Sequence, residues 1–465
     1  MAADTHVPSS TMPTSTIELR ARHWLAAARS PDGAKWAFRI AVGVSIVIYF
    51  VVGRRQWFIR DDWAFIISRN VLRNQFGLDE WLLTAQDGHW MTPPILIYRG
   101  IQNLFGISSY WPYLIPTMAL HLAAVFMVRA LCRRHGVAPW ATTILCSVLL
   151  VFGGGWENIV FAIQITYNLS LVAFLAQVLL VDHDGRPDRR DAFGAVLGLI
   201  AVSSSGFGPF FIIGLTVLLG LRRRWLALAI AVGPQLVAYA WWFFTWQSDL
   251  AADAMPGPRS QVPQFVVRGL ESSFSSIMVF ASLAGIAIIG AAAASMWNGR
   301  TWTTRTTLVA MWVTTLAMYA GVGIQRIGFG INSAEASRYQ YITAMLLVPA
   351  IGLAVDHLRI VTVPLRWATL GVLAAGVVVN AGVLQSAGGD WAARARESQD
   401  LFEIVAGSGL AAEVDPNTPP DAFNPDVTVR WLPWIAAEGA ITPRPPANDA
   451  EVARVREALG LAPTP

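Results

Sequence analysis

Asp61 and Asp62 stand side by side just after the first apolar stretch, directly ahead of Trp63. Adjacent carboxylates raise each other's cost of ionising, so they persist most easily where a metal or a substrate hydroxyl uses them. A positioned carboxylate accepts the proton of a hydroxyl nucleophile as its new bond forms. A divalent cation held by carboxylates neutralises a departing phosphate. The same acids also suit the first turn of a helix beginning near Trp63, and both roles are compatible. Further along lie Asp79-Glu80, Asp87 and His89-Trp90, either a second acid and histidine for a metal or an acceptor, or an ordinary solvated loop. Glu157 and Gln164 follow Gly153-Gly154-Gly155, whose glycines permit a tight turn. Arg326 and Ser337-Arg338-Tyr339 offer guanidinium groups that grip phosphate oxygens in bidentate fashion. The alternative for these arginines is snorkelling beside an aromatic belt.

The elements that must position these residues are membrane helices. Of 465 residues, 54% are hydrophobic and 14% charged, against roughly 25% charge in a soluble domain; the mean hydropathy is +0.48. There are 20 Trp and 22 Phe, suited to lipid-facing and interfacial surfaces. At about 20 apolar residues per crossing, roughly eleven spans are expected: 36–53, 109–131, 138–155, 158–181, 192–204, 208–221, 225–246, 266–296, 306–324, 339–356 and 367–386. Segment 203–209 separates two short spans and reads as a break, which at membrane depth survives only inside protein or beside water.

Arginines cluster at alternate short connections, at Arg133-Arg134, Arg186/Arg189/Arg190, Arg222-Arg223-Arg224, Arg300/Arg305 and Arg359/Arg366. The positive-inside bias puts these in the cytoplasm, together with the N-terminus. Loop 54–108 and the chain after about 387 then face outward. Residues 1–35 read as a disordered cytoplasmic N-terminus, 36–386 as the membrane domain and 387–465 as a small outer tail. Within the loop, Trp63, Ile66, Ile67 and Val71 recur at helical spacing, as do Ile97, Tyr98, Ile101, Leu104 and Phe105. Both segments read as amphipathic helices on the membrane face. Arg268 and Glu271 are expected to pair on one helix face. Cys132 and Cys146 fall in spans, which argues against a disulfide framework or zinc site. The chain lacks a phosphate-binding glycine loop, an HExxH pair and a nucleophile elbow. Lys35 is the only lysine, and no basic run interleaves with aromatics as nucleic-acid binding requires.

These features together resemble the GT-C superfamily of membrane glycosyltransferases. The resemblance spans residues 36–386. It rests on Asp61-Asp62 after span one, on His89-Trp90-Met91-Thr92-Pro93 leading into Tyr98 and Phe105-Gly106, and on Trp156-Glu157-Asn158 with Phe161 and Gln164. Ser204-Ser205-Gly206 and Ser337-Arg338-Tyr339 complete it. It implies an all-α, polytopic fold and an inverting transfer from a polyprenyl-phosphate sugar donor at the outer face of the cytoplasmic membrane. Asp62 or Asp61 would act as base. His89, Glu157, Gln164, Arg326, Arg338 and Tyr339 would contact substrate. A divalent metal (Mg2+, Mn2+ or Ca2+) could sit on Asp61, Asp62 and His89. The chain lacks the large outer domain of members that act on proteins or polymers, so a lipid or small glycan acceptor is expected. Two alternatives stay open: a transporter or lipid flippase, favoured by the break at 203–209, and an inactive scaffold.

Overall fold

The computed structural model describes residues 30–247, 255–277, 301–361 and 363–462. Among the described residues the chain is helical, with one isolated bridge between Gln86 and His89. It is a multi-pass membrane protein. Among the described residues, seven helical stretches are long and apolar enough to cross a ~30 Å core: Pro31–Gly53, Trp111–Arg134, Ala162–Val181, Trp225–Trp246, Trp302–Phe329, Ser337–Asp356 and Leu370–Gly407. Pro139–Leu150 and Gly208–Leu221 are apolar but shorter; the helix Arg189–Val202 is also short and opens on the charged Arg189-Arg190-Asp191. The second half of the expected span 266–296, the first 29 residues and Arg300 lie outside the described residues. Helix α1 (Pro31–Gly53) begins ahead of the expected Trp36, because Ser30 caps it by accepting from the Gly33 N–H and Pro31 opens it.

Two apolar clusters divide the molecule. One is the bundle core, built from the spanning helices. The other joins loop 54–110 to the C-terminal segment, packing Trp57, Phe58 and Trp63 with Phe402, Val427 and Ile435. The expected span ending at 386 instead continues as one helix, α2 (Val363–Gly407), 45 residues long. The polar composition after 386 concealed a stripe of Ala392, Ala395, Phe402 and Val405 at helical spacing, all buried. Residues of the expected outer tail therefore share a core with the loop. Close approach at Gly388 lets the Gln56 side chain donate to the Gly388 carbonyl at 2.8 Å.

The glycines at 153–155 serve packing. None has positive φ. A Cβ at Gly153 would lie 2.5 Å from Val383, and one at Gly155 would lie 2.7 Å from Tyr341. Cys132 and Cys146 are buried and free. Arg268 reaches Glu271 at 3.5 Å as expected, and also pairs with Glu335.

Candidate functional site

A cavity of about 680 Å³ opens where loop 54–110 meets the ends of the spanning helices. It is lined by Asp61, His89, Glu157, Gln164, Arg326, Arg338 and Tyr339. Residues from five separate stretches of sequence thus converge on one space. Arg60, Asp87, Tyr167 and Trp391 also line it.

The twin aspartates part company. The turn begins at Arg60, a non-glycine residue at φ 54°, a sparsely populated and costly conformation. The C-terminal segment holds it there. Asn424 Oδ1 accepts from the Arg60 N–H at 2.6 Å, and the Arg60 guanidinium lies over the Phe423 ring at 4.9 Å. The helix then starts at Asp61, continues through a π-helical stretch Ala64–Ser68, and runs on as Arg69–Phe76. Asp61, in the first turn, is exposed to the cavity and makes no side-chain hydrogen bond or ion pair among the described residues. Asp62 points the other way and is fully buried. It accepts from the Tyr98 hydroxyl at 2.6 Å, the Tyr110 hydroxyl at 3.0 Å and the Ile59 N–H at 3.3 Å. Burial pushes its carboxyl up to about 7, against the pull of those three donors, and the Asp61 charge adds to the rise. Sequence spacing alone could not say which acid turns inward. The aromatic neighbours that cage Asp62 lie well downstream of it.

His89 is placed by a two-residue turn. Gln86 and His89 exchange backbone hydrogen bonds at 2.9 and 2.8 Å, while Asp87 and Gly88 both take positive φ, 50° and 74°. That is a type I′ turn, for which Asp-Gly is a favoured dipeptide. Asp87-Gly88 is the sequence signal for this turn. The imidazole then packs on Gly206, where a Cβ would come within 2.4 Å of the ring. The break at 203–209 is therefore the seat of His89. Trp242 steadies the same loop, stacking on Trp90 and donating to the Leu83 carbonyl at 2.7 Å.

Opposite Asp61 sit Glu157 and Arg338, 3.7 Å apart. Burial raises the Glu157 carboxyl above its ordinary range, with Arg338 and Arg60 pulling it back and Asp61 raising it further. The Gln164 side-chain carbonyl is buried and has no hydrogen-bond partner among the described residues. Arg338 also lies over the Tyr339 ring, 5.2 Å from its centroid. The cavity thus combines a free carboxylate, three guanidinium groups and an unsatisfied acceptor.

The expected metal set does not assemble. Asp62 has its oxygens engaged by two hydroxyls and an amide, and Asp61, Asp62 and His89 do not converge. Among the described residues the three-ligand cluster is His183, Asp188 and Asp191 at the opposite end. There Arg224 and Arg190 already pair with the acids.

The chain's architecture matches that of ArnT from Cupriavidus metallidurans, a GT-C glycosyltransferase. Against ArnT bound to undecaprenyl phosphate the TM-score is 0.53 at 13% identity, covering 87% of this chain and 88% of that one. Against apo ArnT it is again 0.53 at 13%, covering 91% and 90%. The chain shares its overall fold with ArnT. No protein-family model matches the chain, and no curated protein matches its sequence. At this identity the GT-C likeness is one of fold, and the site residues stand on their own geometry.

Proposed function

We propose that the protein transfers a sugar from a polyprenyl-phosphate donor to a lipid or glycan hydroxyl at the outer face of the cytoplasmic membrane, with inversion. The observation that carries this reading is Asp61, a carboxylate unpaired among the described residues that faces a cavity lined by Arg60, Arg326 and Arg338 within a GT-C-like fold. ArnT of the same fold was solved with undecaprenyl phosphate bound. Asp61 accepts the proton of the acceptor hydroxyl as that oxygen attacks the anomeric carbon. The bond from carbon to phosphate oxygen breaks, and polyprenyl phosphate leaves. The guanidinium groups stabilise the charge that develops on the phosphate. Three cations do here what a divalent ion would otherwise do, so no metal step is assigned to the expected ligand set. Gln164 and His89 orient sugar or acceptor hydroxyls. Asp62 acts from beneath, fixing the turn through Tyr98 and Tyr110.

The feature that favoured a transporter, the break at 203–209, is accounted for by the packing of His89 on Gly206. The test is turnover in nanodiscs with a panel of polyprenyl-phosphate sugars. Release of polyprenyl phosphate coupled to glycolipid formation supports transfer. Solute movement across liposomes without turnover of any donor would contradict it.

A further inference from the structure

A second cavity, about 350 Å³, lies on the other side of the helix that carries Asp61. Its size falls within the ~300–1,000 Å³ typical of small-molecule sites. The two cavities share that helix: Phe65 faces the first, while Ile66, Ile67 and Asn70 line the second. The second draws its remaining walls from the amphipathic helix Thr92–Phe105 and from the C-terminal Trp431 and Trp434.

Its chemistry is unlike the first. Four carboxamides converge there, from Asn70, Asn74, Gln102 and Asn103, with Arg99 and Glu438. Part of this set is locked internally. Arg99 donates to Asn70 Oδ1 at 3.0 Å and to Gln102 Oε1 at 3.2 Å, and Asn70 Nδ2 donates to Gln102 Oε1 at 2.9 Å. In that network Gln102 accepts through Oε1, and its two amide hydrogens make no hydrogen bond among the described residues. The side chains of Asn74, Asn103 and Glu438 make no hydrogen bond among the described residues. The indoles of Trp431 and Trp434 stand edge to face, 6.2 Å apart, partly exposed.

Amides that both donate and accept match vicinal hydroxyls, which also do both. A carboxylate accepts from two adjacent hydroxyls. Indole faces supply flat apolar area for the C–H face of a pyranose. A phosphate ligand would meet one arginine and a carboxylate here, and an apolar ligand would strand the amides. The geometry points to a binding site for a neutral sugar, separate from the Asp61 cavity and backing onto the same helix. The sugar arrives either as the headgroup of a glycolipid or as part of a soluble glycan. Exposed Phe76, Leu104 and Phe105 on the adjoining helices suit a site level with the lipid headgroups. This inference does not depend on the transfer reaction, and the two can fail separately.

The full-length protein in nanodiscs is titrated with short neutral oligosaccharides of glucose, mannose, galactose and arabinose. Saturation-transfer NMR and tryptophan fluorescence report binding. In parallel, nanodiscs containing diglucosyl diacylglycerol test the lipid source. Trp434→Ala and Asn103→Ala are each expected to weaken binding about tenfold, whereas Asp61→Asn leaves it unchanged. Asn103 is exposed, so its variant remains informative if Trp434→Ala fails to fold. Binding of soluble sugars assigns the free-glycan source, and binding only of the glycolipid assigns the lipid source. Absence of both, or binding indifferent to Trp434→Ala and Asn103→Ala, overturns the site.

Discussion

The two ends of the helix bundle handle charge in opposite ways. At the end carrying the arginine-rich short connections, Asp182 is bracketed by Arg222 at 2.5 Å and Arg134 at 3.4 Å. Asp191 is held by Arg224 at 3.2 Å and His183 at 3.2 Å. The Asp182 and Asp191 side chains are no more than 1% exposed. Each buried acid has its cation, which is the condition under which desolvated charge is tolerable. At the loop end Arg268 still pairs with Glu335, but other charged groups around the cavity are loosely paired or unpaired among the described residues. Glu157 and Arg338 are 3.7 Å from each other and partly exposed, and Asp61 has no pairing at all among the described residues. Closed pairs hold helices together. Open ones await a ligand. Composition cannot tell these apart, because both ends contain Arg, Asp and His.

This contrast can be broken by mutation, starting with the largest effect. Asp182→Ala leaves Arg222 buried without its partner, so it should cost about 3–5 kcal/mol of stability. Thermal melting in detergent should fall sharply, while turnover per folded molecule stays near wild type. A large loss of turnover at unchanged melting temperature would erase the distinction between the ends. Arg338→Lys should do the reverse. It keeps the charge but loses the fork that binds phosphate, and turnover should drop by about 10²-fold with little change in melting. Asn424→Ala removes the acceptor that holds Arg60 in its strained conformation. Loss of a buried hydrogen bond of about 1–3 kcal/mol should appear as roughly tenfold slower turnover, read by the same donor-consumption assay.

A pH dependence separates the two neighbouring acids. The Asp62 carboxyl titrates at about 7 in the folded protein, against an ordinary 3.8. The folded state therefore holds a proton that the unfolded state has released between those values. Stability from this group is full below pH 4, falls as pH rises towards 7, and is level above. Asp62→Asn should flatten that slope, checked by melting curves from pH 4 to 8. Asp61→Asn should leave the slope in place.

The helical membrane fold was legible because hydrophobic length is a one-dimensional signal. Seven of the eight site residues named from sequence line one cavity for a similar reason. Acids, arginines and a histidine at the ends of apolar spans are rare enough to stand out. What sequence could not supply was direction. Asp62 turns into a cage made by Tyr98 and Tyr110, and the strain at Arg60 is maintained by Asn424, distant along the chain. Gly206 lies in the expected break, between helices Arg189–Val202 and Gly208–Leu221, but that its missing side chain admits the His89 imidazole was not legible. The C-terminal helix was missed because polar composition masked its buried stripe. Each of these depends on a tertiary partner that local pattern does not name.

The most direct test pairs the two neighbouring acids. Asp61→Asn and Asp62→Asn are purified, their melting temperatures compared, and release of polyprenyl phosphate from the donor measured. The account predicts that Asp61→Asn loses about 10³-fold in turnover at wild-type stability, while Asp62→Asn keeps most of its turnover. Full activity in Asp61→Asn, with loss confined to a well-folded Asp62→Asn, would contradict it.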